Sequence, residues 1–209
     1  MRARPPRGPE PADGVIPIHR PTAQDRAQQT TSYVGMTVFV ASWAMLFAAL
    51  FMSYTVLRIR SPMWPPAGQE RLPLGLPLCA SVLLALSSAA LQRGLVRVRR
   101  GETHVYLRHL IATAALGAAF LLLQSIAWWS LWQGGLTIRS GLYGGVFYLL
   151  TCFHALHVAV GILFLLWLLP AAHGHRDLCG KLGRLGVVTV YWHFVGVVWG
   201  VMLFAVYLV

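Results

Sequence analysis

Three histidines stand deep in apolar stretches of the sequence, where an imidazole can relay a proton, ligate a metal or haem iron, or hydrogen-bond between helices. His154 and His157 lie in Phe153-His154-Ala155-Leu156-His157-Val158, inside an apolar run from about residue 142 to 169. His193 lies in Tyr191-Trp192-His193-Phe194-Val195, inside a second run from about 185 to 209. An ionisable side chain at membrane depth is by default a functional-site hypothesis. His154 and His157 are three residues apart and share one helix face, which predicts two helices with facing histidines. A bis-histidine haem needs ligands approaching one iron from opposite sides, so the adjacent pair on one helix cannot supply both. A pairing of His157 with His193 stays open, because at a rise of about 1.5 Å per residue they lie roughly 18 and 12 Å from the inner ends of their spans. The preferred reading is neutral histidines hydrogen-bonded between helices, over a metal or haem ligand.

The elements that must position these side chains follow from composition. The chain has 209 residues, 57% hydrophobic and only 11% charged, whereas soluble domains carry roughly 25% charged residues. Runs long enough to cross a bilayer occur at about 34–57, 73–93, 106–132, 142–169 and 185–209. The expected fold is all-α, an integral membrane bundle of five transmembrane helices forming one domain over 33–209. Residues 1–32 hold six of the twelve prolines and no apolar run, and are expected to form an extended Pro/Arg-rich cytoplasmic tail.

The formal charge of +11 belongs to the tail and loops and points to topology, not to a nucleic-acid partner. Thirteen of the seventeen Lys and Arg residues fall on one side of the predicted spans, leaving Arg58, Arg60, Arg71 and Arg139 on the other. The positive-inside rule then places the N-terminus in the cytoplasm and the C-terminus outside. Arg58 and Arg71 near the outer face, and Arg93 and Arg97 near the inner face, are candidate lipid-headgroup contacts. Trp128, Trp129 and Trp132 read as an outer aromatic belt. Cys79, Cys152 and Cys179 have no C-x-x-C spacing and suggest neither a disulfide framework nor a metal site. All six carboxylates fall in the tail or loops, so a proton path built from this chain alone would have only histidines.

At these residues the chain resembles subunit III of the haem-copper terminal oxidases, in the five-helix bacterial form. The likeness rests on Leu46-Phe47-Ala48-Ala49-Leu50-Phe51 through Arg58, on Trp64-Pro65-Pro66, on the His154 and His157 stretch with Gly161, and on Tyr191 to Val195 through Trp199. The resemblance implies a cofactor-free accessory subunit of the bacterial inner membrane, with no metal and no catalytic residues of its own. Such a subunit packs on catalytic subunit I and subunit II, which carry the haem and copper. It holds phospholipid between helices and helps sustain oxygen reduction and proton uptake.

Two positions depart from the family pattern. Trp43 stands where the family usually has Glu, and Gly196 where it usually has Asp after His-Phe-Val, so the roles of those acids do not carry over. One reading is that the Trp43 indole fills the space left at Gly196, since volume-conserving exchanges are tolerated best. Among rivals, the accessory subunit of a nitric oxide reductase system differs only in its partner chain. A small His-ligated membrane cytochrome would show a Soret band, and a transporter is disfavoured by the acid-free spans and the lack of an inverted repeat.

Overall fold

The computed structural model describes residues 23–63, 73–100, 102–172 and 178–208. The chain forms helices α1 (Ala23–Arg60), α2 (Gly75–Arg99), α3 (Tyr106–Gln133), α4 (Gly141–Trp167), a single turn α5 (Leu169–Ala172) and α6 (Leu178–Met202), which continues as a π-helical turn, Leu203–Leu208. A short 3₁₀ turn, Thr103–Val105, leads into α3. Five helices are long and apolar enough to cross a membrane, and no strand occurs among the described residues.

The helix boundaries follow local chemistry. α1 stops at Arg60, just before Pro62, and the residue before a proline is pushed out of the helical region. α3 ends in a Schellman motif: Gly135, at φ +86°, donates to the Trp132 carbonyl at 3.0 Å, and Leu136 N–H donates to the Leu131 carbonyl at 3.0 Å. Only glycine takes that left-handed position without strain. Ser140 closes the following loop. Its hydroxyl accepts from Thr137 N–H at 2.8 Å and donates to the Gly135 carbonyl at 3.0 Å. Within the spans, hydroxyls find partners on their own helix: Ser42 donates to the Val38 carbonyl at 3.0 Å and Thr55 to that of Phe51 at 2.8 Å. A lipid-facing hydroxyl has no water to bond, and back-bonding to residue i−4 meets its need.

α1 is longer than the apolar run predicts. The expected start near Val34 is corrected to Ala23, because Ala23 to Gln29 contains good helix formers and no proline, and a helix nucleated by the span propagates cheaply. The expected tail therefore ends earlier than residue 32, and its first 22 residues lie outside the described residues. So do Trp64-Pro65-Pro66 and Arg71.

α6 sits at the centre of the packing, with α1, α2 and α4 against it, while α3 packs on α2 and α4. α1 is the peripheral helix. Only 6% of its most apolar window is buried, against 44% for α4 and α6. Its outward residues include Val38, Met45, Met52 and Ile59, side chains suited to lipid or to another membrane protein.

Candidate functional site

The three histidines turn toward three different parts of the bundle. His157 leans toward α1, where the Trp43 ring meets it edge-on at a centroid distance of 4.4 Å and Phe47 at 5.2 Å. Phe153, on its own helix, closes a third side at 4.8 Å. The His157 Nδ1 lies 2.7 Å from the Phe153 carbonyl. A carbonyl only accepts, so Nδ1 carries the proton. The backbone carbonyl of His157 in turn accepts the Tyr191 hydroxyl at 3.0 Å, which ties α6 to α4.

His154 points into the bundle instead. It stacks on Trp199 at 5.3 Å and meets the edge of Phe120 at 5.9 Å. Successive helical residues rotate by about 100°, so side chains three apart diverge by roughly 60°, enough for His154 to face α3 and α6 while His157 faces α1. His193 turns toward α2, its Nε2 lying 3.3 Å from Gln92 Oε1. The predicted facing of the histidines across α4 and α6 is therefore corrected. α6 is rotated so that tryptophans, not His193, enter the interior, and His157 and His193 do not aim at a shared centre. Among the described residues, no group of three or more His, Cys, Asp or Glu is placed to hold a metal ion. Cys79 and Cys152 are exposed on separate helices.

What α6 sends inward is Trp192, fully buried. Its indole N–H donates to Ser87 at 3.0 Å. Its ring lies where two glycines leave room: a Cβ on Gly117 would come within 2.7 Å of it and one on Gly161 within 2.9 Å. One indole thus locks α2, α3, α4 and α6 together. Trp199 repeats the pattern two turns on, donating to Ser81 at 2.8 Å. In the sequence both tryptophans stand out only as parts of a motif. The missed signal is a matched spacing, with two interior tryptophans seven apart on one span and two serines six apart on an antiparallel one.

Trp43 and Gly196 do not compensate each other. The indole packs on His157 and Phe153, whereas a Cβ on Gly196 would meet only the Ser88 hydroxyl, at 3.5 Å. The two positions look toward different helices, so the expected exchange of volume is not there. The arginines separate to opposite ends. Arg58 Nη1 reaches the Ala205 carbonyl at 3.5 Å, and Arg93 and Arg97 are exposed near the last turn of α2.

A groove of about 810 Å³ opens between the N-terminal part of α1, the end of α4 and the start of α6, with Ser32, Met36, Phe164, Trp167 and Arg184 on its walls. Close to it, α1 crosses α6 over glycines. A Cβ on Gly186 would fall on the Tyr33 hydroxyl, and one on Gly183 would come within 3.1 Å of Gln29.

Residues 22–209 match the family model for cytochrome c oxidase subunit III. The chain belongs to that family. Relatives named cytochrome c oxidase subunit 3 include one from Synechocystis, 34% identical over 83% of this chain and 74% of its own length. Another, from Thermostichus vulcanus, is 31% identical over 89% of this chain and 92% of its own. A probable cytochrome c oxidase subunit 3 from Mycobacterium leprae is 33% identical over 84% and 87%. The match covers every described helix, so the aromatic surroundings of His157 and the Trp192 lock belong to a subunit III bundle.

Proposed function

We propose that this chain is the accessory third subunit of an aerobic haem-copper oxidase of the bacterial inner membrane. It packs on the catalytic subunit and on subunit II and holds phospholipid, while oxygen is reduced to water at the haem and copper of the catalytic subunit. The observation that carries this reading is the subunit III match running from residue 22 to the end of the chain over a bundle of five membrane-length helices. The role is scaffolding and lipid binding, with no redox centre or catalytic residue of its own. In support, His154, His157 and His193 are taken up by rings and hydrogen bonds on separate helices and do not converge.

The groove between α1, α4 and α6 is the proposed lipid seat. Met36, Phe164 and Val188 offer apolar walls, and Arg184 stands at the rim with Gln28 and Ser32, a combination suited to acyl chains below an anionic headgroup. The end bearing Arg97, Arg99 and Arg184 is assigned to the cytoplasm, following the Lys and Arg bias.

The test is purification of the tagged chain from its native membrane in mild detergent, with a visible spectrum and an oxygen-consumption assay. The expected result is a co-purifying large membrane subunit with haem and copper and with oxidase activity that decays faster during turnover once this chain is stripped away. Co-purification with a nitric oxide-reducing partner would move the chain to the related accessory role. Haem retained by the stripped chain would overturn the reading.

A further inference from the structure

We propose that the bundle interior between α3, α4 and α6 binds a small cluster of ordered water, held by His154, Gln124 and Tyr207. His154 is 1% exposed and Gln124 2% exposed. Neither ring nitrogen of His154, neither polar atom of the Gln124 amide, nor the Tyr207 hydroxyl has a hydrogen-bond partner in the protein, and all five atoms are sealed from the surface. Gln124 approaches the Tyr207 hydroxyl without reaching hydrogen-bond geometry.

His154 and Tyr207 flank one indole. The Trp199 ring stacks on His154 at 5.3 Å and meets Tyr207 at 6.4 Å, while Phe120, one turn before Gln124 on α3, closes on both His154 and Trp199 at 5.9 and 4.8 Å. The rings cover the faces of the imidazole and leave its nitrogens, which lie in the ring plane, unanswered.

Several other polar groups of the core are answered within the protein. Trp192 bonds Ser87, Trp199 bonds Ser81, and Thr151 bonds the Phe147 carbonyl and receives Trp128. The Tyr106 hydroxyl and the His109 Nε2, at the start of α3, share the shortfall, but the five atoms here lie deep between three helices. A neutral imidazole needs an acceptor at one nitrogen and a donor at the other, and an amide needs both as well; water supplies both. In a bundle surrounded by lipid no other solvent can do so. A buried water makes about three hydrogen bonds, so roughly two would serve the five atoms.

Further phenols lie in the same half of the molecule. Tyr207 neighbours Tyr143 and Tyr148, Tyr143 neighbours Tyr54 and Arg58, and Arg58 reaches the Ala205 carbonyl near the end of the chain. The cluster therefore lies toward the Arg58 end of the bundle. The water sets which nitrogen of His154 carries the proton and makes that proton exchangeable in the middle of the bundle. The proposal concerns the interior of this chain and stands whichever complex the chain joins.

The test is a cryo-electron microscopy map of the native complex in lipid nanodiscs, at a resolution that shows ordered water. Peaks within hydrogen-bond distance of the His154 ring nitrogens and the Gln124 amide are expected. A dry interior, or direct protein partners for all five atoms, overturns the proposal. In a map of the His154→Phe complex the peaks beside position 154 are expected to vanish while those on Gln124 and Tyr207 persist, and unchanged peaks would overturn it too. The wild-type map decides even where the variant does not assemble.

Discussion

Trp192 concentrates more of the packing than any histidine does. Its ring occupies space that Gly117 and Gly161 leave open, so a single methyl at either glycine pushes on an indole that is already enclosed. Gly161→Ala is expected to destabilise the bundle by about 1–3 kcal/mol, the usual cost of overpacking, and the smaller ring of Trp192→Phe should recover part of that loss. The measurement is unfolding of the purified chain followed by tryptophan fluorescence, with Gly200→Ala as the reference. A Cβ on Gly200 meets nothing within 4 Å, so that change is expected to stay within about 0.5 kcal/mol. An equal loss at both glycines would show that the Trp192 contact does not limit stability. The serine partners set a second, smaller scale. A double-mutant cycle between Ser81→Ala and Trp199→Phe should return a coupling of about 0.6 kcal/mol, typical of hydrogen bonds between membrane helices; a value near zero would mean that lipid or another group replaces Ser81 at the indole.

α1 presents a different balance, because so little of it is buried. Its hold on α6 runs through the Tyr33 and Gly186 crossing and through rings such as Phe39 against Tyr191 at 6.3 Å. Gly186→Ala is expected to lift the N-terminal part of α1 while α2, α3, α4 and α6 stay packed. Limited proteolysis should then cut faster between Ala23 and Tyr33, and Tyr33→Phe, which removes the clashing hydroxyl, should slow it again. Unchanged proteolysis in Gly186→Ala would place the anchor of α1 elsewhere. The same helix shows what the sequence could convey. All five spans were legible, since an apolar run of membrane length admits few alternatives; the end marked by Gly134-Gly135 fell within one residue and the end before Pro62 within three. The start of α1 was not legible from hydropathy, because Ala23 to Tyr33 is polar and helical at once. The site was legible only in part. His154, His157 and His193 could be placed in depth by counting residues, but which neighbour each faces depends on the rotation of a helix about its axis. That rotation is set by Trp192 and its glycines, which lie on three separate spans.

Over the whole molecule, the two ends of the bundle differ in charge, and the proposed orientation rests on that difference. Arg93, Arg97, Arg99, Arg100 and Arg108 gather where α2 ends and α3 begins, while the end where α1 finishes has Arg58 and Arg60, with Arg139 in the α3–α4 loop. Only short loops separate these charges from the spans, the condition under which Lys and Arg bias decides topology. Arg139 and Arg99 are both exposed, so each can be exchanged for a reporter without disturbing the core. In a background with Cys79, Cys152 and Cys179 replaced by Ser or Ala, Arg139→Cys is expected to react with a membrane-impermeant maleimide added outside intact cells, and Arg99→Cys only after the membrane is opened. The opposite pattern would invert the topology and carry the groove lined by Arg184 to the outer face, along with the lipid leaflet from which it is filled. Labelling of both sites from outside would mean that the bundle lacks a fixed orientation, which is incompatible with docking on a catalytic subunit that is itself oriented. The groove lies at the Arg184 end of the bundle and Tyr207 toward the Arg58 end, so the same experiment fixes which of them is nearer the cytoplasm.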